Sequence, residues 1–147
     1  MIISRLFALV LCVSTFAWLP AAAEDLDLSG RWTIEIVDAA KDEAFSGTAV
    51  ITATDDASVF KAVLITEDRC CGGNYSKVQQ RSKITVFEGG IEVWSQIEKF
   101  IIQDDPNPGG PYSEDDFSLK AQADGTLLGK MNGWTQVRWV RSNDGMV

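Results

Sequence analysis

Gly30-Arg31-Trp32-Thr33-Ile34-Glu35-Ile36 is the stretch that decides the fold. Trp32, Ile34 and Ile36 alternate with Arg31, Thr33 and Glu35, the period of a strand with one face buried and one in water. The same alternation recurs downstream. Val59, Val63 and Ile65 share one face, interrupted by Lys61. Ile84 with Val86, Ile91 with Val93, Phe117 with Leu119 and Ala121, and Val137 with Trp139 continue it.

Turn-forming residues separate these runs: Thr54-Asp55-Asp56, Cys71-Gly72-Gly73-Asn74, Glu88-Gly89-Gly90, Ala123-Asp124-Gly125 and Asn132-Gly133. The resulting strands are expected over 30–37, 46–54, 58–67, 74–87, 91–102, 115–123, 126–132 and 135–141. Tight turns between sequential strands make them antiparallel neighbours. About eight such strands imply an all-β, up-and-down barrel or barrel-like meander, since closure removes exposed edges. The stretch from Asp38 to Ala44 is the one helix-prone segment, open to a helical turn or a polar loop.

The first strand is preceded by an export signal. Arg5 supplies a positive charge, Leu6 to Leu19 is apolar, and Pro20-Ala21-Ala22-Ala23 ends in small residues. An apolar run of about 14 residues is short of the ~20 that span a bilayer. Residues 1–23 therefore read as a cleaved signal peptide and residues 24–147 as a single β-barrel-like domain, secreted or periplasmic, with no stable membrane anchor after cleavage.

Cleavage removes Arg5 but no acid, taking the net charge from −8 to −9. A domain this acidic repels phosphate backbones and anionic lipid surfaces, so nucleic acid is not an expected partner. The chain has no histidine. That excludes Ser-His-Asp and Cys-His catalysis and histidine-ligated metals within one chain. No metal site and no cofactor are expected. Glu35, Glu92 and Glu98 fall on strands and are the carboxylates available for acid–base work, but no second motif accompanies them, and the sequence points away from an enzyme.

Leu28-Ser29-Gly30-Arg31-Trp32, with its Gly-x-Trp at the start of the first strand, resembles the opening of lipocalins and avidin-like barrels. The last hairpin, Asp124 to Met131 followed by Val137-Arg138-Trp139-Val140-Arg141, looks like that of small exported bacterial barrels. The resemblance implies a lipocalin-like barrel whose Trp32 plugs one end, with Arg138 or Arg141 packed across it and Trp139 beside it. Thr33-Ile34-Glu35-Ile36-Val37 lacks the residues by which avidin-like proteins grip biotin, so biotin is not an expected ligand.

Cleavage also removes Cys12 and leaves the adjacent pair Cys70-Cys71. Neighbouring Cα atoms lie about 3.8 Å apart, below the usual disulfide range of about 4.4–6.8 Å, so a vicinal disulfide is a strained ring. An oxidising compartment favours that bond, and Gly72-Gly73 gives the backbone freedom for it. Two thiols with one or both buried, pairing with another molecule, or a redox or soft-metal role are the alternatives. The spacing matches neither zinc nor thioredoxin chemistry.

The longest break in the strand pattern runs from Asp104 to Asp116 through Pro106, Pro108 and Pro111, with carboxylates at both ends. A loop of this kind covers a barrel mouth or meets a partner. The tryptophans, with Tyr75, Tyr112, Phe60, Phe87, Phe100 and Phe117, suit either an aromatic ligand pocket or a filled core. Two functions follow: a non-catalytic module holding a small apolar ligand, or a protein-interaction or inhibitor module built on a filled barrel. The first needs a hollow interior and the second a packed one.

Overall fold

The computed structural model describes residues 26–37, 44–70, 74–103 and 112–143. The expected signal peptide, the segment from Asp38 to Glu43, Cys71 and most of the proline-rich loop lie outside the described residues. Eight antiparallel strands follow one another around a closed barrel: β1 Gly30–Ile36, β2 Ala44–Ala53, β3 Val59–Cys70, β4 Asn74–Phe87, β5 Gly90–Gln103, β6 Phe117–Ala121, β7 Leu127–Met131 and β8 Thr135–Arg141. The ring closes where β1 pairs with β8, Ile34 opposite Trp139.

The alternation around Trp32 holds: Trp32 and Ile34 are buried, and Arg31, Thr33 and Glu35 face water. In β3 the phase is the reverse of the expected one. Phe60, Ala62, Leu64 and Thr66 point inward, whereas Val63 is 42% exposed and Val59 and Ile65 are half-buried. Lys61 explains the reversal, because it shares its face with Val59 and Val63 and an unpaired ammonium stays in water. The inward face, Phe60-x-Ala62-x-Leu64, carries no such penalty.

An eight-stranded barrel has an interior just wide enough for side chains to fill. Here large residues sit against small ones. Trp32 stands opposite Ala49, Ile34 opposite Gly47 and Ile51 opposite Ala62. A Cβ on Gly47 would come within 3.1 Å of Thr66 Cγ2 and 3.3 Å of Ile34 Cδ1, which is why the smallest residue stands there. The Asn132-Gly133 hairpin has both residues in the left-handed region (φ 51° and 86°) and a Trp134 N–H to Met131 carbonyl bond, the primed turn that matches strand twist.

The wall is uneven. β3, β4 and β5 run to 12, 14 and 14 residues, and register shifts in the β4–β5 ladder leave Glu98 and Ile101 as extra residues. β5 pairs with β6 only across Ile91, Glu92 and Val93. Beyond Trp94 the seam between them opens, and the candidate site lies at that opening.

Candidate functional site

The two ends of the barrel differ in chemistry. At the end bearing the N-terminal segment, Trp32 is buried and its indole N–H donates to the Leu28 carbonyl at 2.8 Å. The Arg141 guanidinium lies over the Trp32 ring, 4.5 Å from its centre. It also donates to the Ser29 carbonyl at 2.7 Å and to the Asp27 carbonyl. Of the two arginines read as a lid from the sequence, Arg141 takes the position. Arg138 projects outward from β8, since residues 137, 139 and 141 cannot share a face with 138. Trp139 lies in the core, edge-on to Phe117 with ring centres 5.0 Å apart, and its Nε1 has no hydrogen-bond partner. This end is sealed by its own side chains.

At the other end the interior is polar. Tyr112 to Asp116 enters where β5 and β6 part, and Asp115 carries its carboxyl inside. Asp115 Oδ2 accepts from Gln80 Nε2 at 2.6 Å, the Tyr112 hydroxyl at 2.7 Å and Thr66 Oγ1 at 2.8 Å. The Asp115 backbone N–H donates to Gln80 Oε1 at 3.0 Å. Ser95 completes the fastening: its Oγ donates to the Asp115 carbonyl at 2.7 Å and its N–H to Asp116 Oδ1 at 2.8 Å. Thr66, Gln80, Ser82, Ser95 and Asp115 are all buried. No basic residue contributes to this set of bonds.

Desolvation raises the Asp115 carboxyl above its ordinary value, against the lowering effect of its three donors. Burial and the neighbouring Asp115 likewise push the Tyr112 phenol up, so it stays protonated and acts as a donor. Among the described residues three donors are aimed at the Asp115 carboxyl, from Thr66 on β3, Gln80 on β4 and Tyr112. These bonds anchor the Tyr112–Asp116 segment to β3, β4 and β5 at this end of the barrel.

Glu35, Glu92 and Glu98 do not meet. Glu35 is exposed on β1, Glu92 accepts from Ser118 Oγ at 2.9 Å, and Glu98 binds Arg81, all on the outer wall. Among the described residues no group of three potential metal ligands occurs. Cys70 ends β3 opposite Asn74, and its pairing with Cys71 lies outside the described residues. Sequence reasoning missed the inward role of Gln80 and Asp115. The available signal was Gln80 and Ser82 in phase with Val78 and Ile84 on β4.

The aromatic residues divide between inside and outside. Trp32, Trp139, Phe60 and Phe117 fill the core, while Trp94 is 63% and Trp134 81% exposed. Three clefts lined by described residues, of about 550, 370 and 310 Å³, open on the outer wall, and Trp94 borders the two larger. No protein-family model, curated protein or solved structure matches this chain.

Proposed function

We propose that this protein is an exported, non-catalytic binding module that engages a protein partner through the outside of a filled, lipocalin-like barrel, in the manner of an interaction or inhibitor domain. One contrast carries the reading. Among the described residues the interior is lined by buried side chains and by the bonds of Tyr112 and Asp115, while two tryptophans stand in water. Tryptophan is costly to expose and is enriched at the centres of protein interfaces.

Native mass spectrometry of the exported protein after mild purification tests this together with a lipophilic dye screen. The expected result is the bare mass of residues 24–147 and no saturable dye binding. A stoichiometric apolar adduct that the dye displaces would overturn the reading.

That outcome belongs to the second reading, a small apolar ligand held inside as in lipocalins. It draws on the closed eight-stranded barrel and on Gly30-x-Trp32 beneath Arg141. It requires the Tyr112–Asp116 segment to leave the mouth, breaking every bond to Asp115.

A further inference from the structure

We propose that the outer face of β3–β4–β5 around Trp94 is the docking site, and that its occupant is an acidic segment of a partner protein whose carboxylates meet Lys61 and Lys83 while an apolar side chain covers Trp94. This rests on the outer-wall reading above and names the surface and the chemistry of the partner.

The ladder registers fix the pattern. Lys61 stands opposite Lys83, and Lys83 opposite Trp94, so the three form one row across adjacent strands. The next row is Val63, Arg81 and Gln96. All six point away from the core and are exposed, and the cleft of about 550 Å³ runs among Lys61, Arg81, Lys83 and Trp94. Strands lie about 4.8 Å apart, so each row spans roughly 10 Å.

Two features of this face are unfavourable in the free protein. Like charges directly opposite on neighbouring strands repel. Among the described residues neither Lys61 nor Lys83 forms an ion pair, whereas Arg81 has Glu98 and Lys77 has Glu67. Lys83 is near enough to Asp56 to favour its ionised form, without an ion-pair contact. The second feature is Trp94, whose neighbour Lys83 makes no cation–π contact with it. Carboxylates between the lysines and an apolar group on the indole would relieve both.

The neighbouring row favours an anion that carries apolar groups. Val63 is apolar and 42% exposed, Arg81 is already paired with Glu98, and Gln96 is exposed beside them. A polypeptide supplies carboxylates and apolar side chains at adjacent positions, and Trp and Arg are the residue types that dominate such contacts.

A random peptide library displayed on phage and panned against the exported protein tests the proposal. Enriched peptides are expected to place Asp or Glu next to an aliphatic or aromatic residue. Their affinity should fall at least tenfold in Trp94→Ser and in the double variant Lys61→Glu/Lys83→Glu, weaken with added salt, and stay unchanged in Trp134→Ser. Circular dichroism confirms that the variants, all at exposed positions, are folded.

Neutral or basic enriched peptides, indifference to both variants, or no enrichment would overturn it. So would a concentration-dependent dimer lost in Trp94→Ser, which would make a second copy the occupant. Sulfated polysaccharide or anionic vesicles bound through the same lysines would overturn it too. If the library fails while native mass spectrometry still shows an empty barrel, the outer-wall reading stands and this assignment falls. An apolar adduct in the barrel removes both.

Discussion

Gln80 and Asp115 are bonded to each other in both directions: the Gln80 amide donates to the carboxyl, and its carbonyl accepts the Asp115 backbone N–H. An amide can do this because it carries donor and acceptor side by side. The pair ties the mouth segment to the middle of β4 at side chain and main chain together. Inside a barrel these bonds replace water that is no longer present, so their loss leaves buried groups unpaired.

The first prediction concerns pH. Asp115 has its folded value raised, so the folded state holds this proton more tightly than the unfolded chain. Its contribution is fully present below the ordinary aspartate value of about 3.9 and is lost as pH rises through the elevated one. Asp27, Asp56, Glu67 and Asp124 are shifted the other way, and their contributions are lost only as pH falls below the ordinary range. The difference between wild-type and Asp115→Asn melts from pH 4 upward thus isolates Asp115, because the exposed carboxylates contribute equally to both. Asp115→Asn is expected to remove part of the wild-type decline in Tm over that window, while Asp115→Ala, which strands three donors, should cost about 3 kcal/mol. Parallel slopes in wild type and Asp115→Asn would refute the assignment.

The two arginines of β8 give a second prediction. Arg141→Ala removes the cation over Trp32 and two bonds to the carbonyls of the N-terminal segment. A loss of about 1–2 kcal/mol is expected, modest because the guanidinium is partly solvated. Arg138→Ala should fall within about 0.5 kcal/mol of wild type, as surface substitutions do. Equal effects in urea titrations would mean that Arg141 does not close this end.

Strand number, order and turns were legible because they depend on local alternation and on residues such as Asn132-Gly133 whose backbone preferences are their own. The burial of Trp32 was legible for the same reason. The phase of β3 was misread because Val59, Val63 and Ile65 are strong strand formers, and strand propensity does not say which face is buried. One lysine on that face outweighed three β-branched residues. The polar mouth was illegible for a different reason. Asp115 lies among acids whose default is water, and only closure of the barrel, with its gap between β5 and β6, brings it against Gln80, 35 residues earlier. The exposure of Trp94 was legible in part, since the alternation of Ile91 with Val93 already sets it on the opposite face; the depth of the surface around it was not.

A third prediction compares the two core tryptophans. Trp32→Phe loses a 2.8 Å bond, leaves the Leu28 carbonyl without its donor and weakens the contact with Arg141. About 2–3 kcal/mol is expected. Trp139 already buries an N–H with no partner, so Trp139→Phe trades a small cavity for relief of that group. Its net effect should lie within about 1 kcal/mol. Denaturant midpoints that move equally would show that Trp139 Nε1 is satisfied in solution.

The last prediction tests how closely β6 and β7 approach. Gly129 pairs with Leu119 on β6 and Val137 on β8, in the part of the wall where the strands are shortest. A Cβ built on Gly129 would fall 1.9 Å from the Ser118 carbonyl oxygen and 2.8 Å from Leu119 Cα. Both obstacles are main chain, so no rotamer relieves them and the two strands must separate. Separation would carry Phe117 away from Trp139 and loosen Asp116, whose N–H is held by Asn132 Oδ1 at 2.9 Å. Gly129→Ala is therefore expected to cost more than about 4 kcal/mol, in the range reserved for severe steric damage. Gly125→Ala is the control: its φ of +84° is unfavourable for alanine, but nothing lies within 4 Å, so about 1–2 kcal/mol is expected. If Gly129→Ala melts no lower than Gly125→Ala, the β6–β7 spacing described here is wrong, and with it the register that positions the mouth segment.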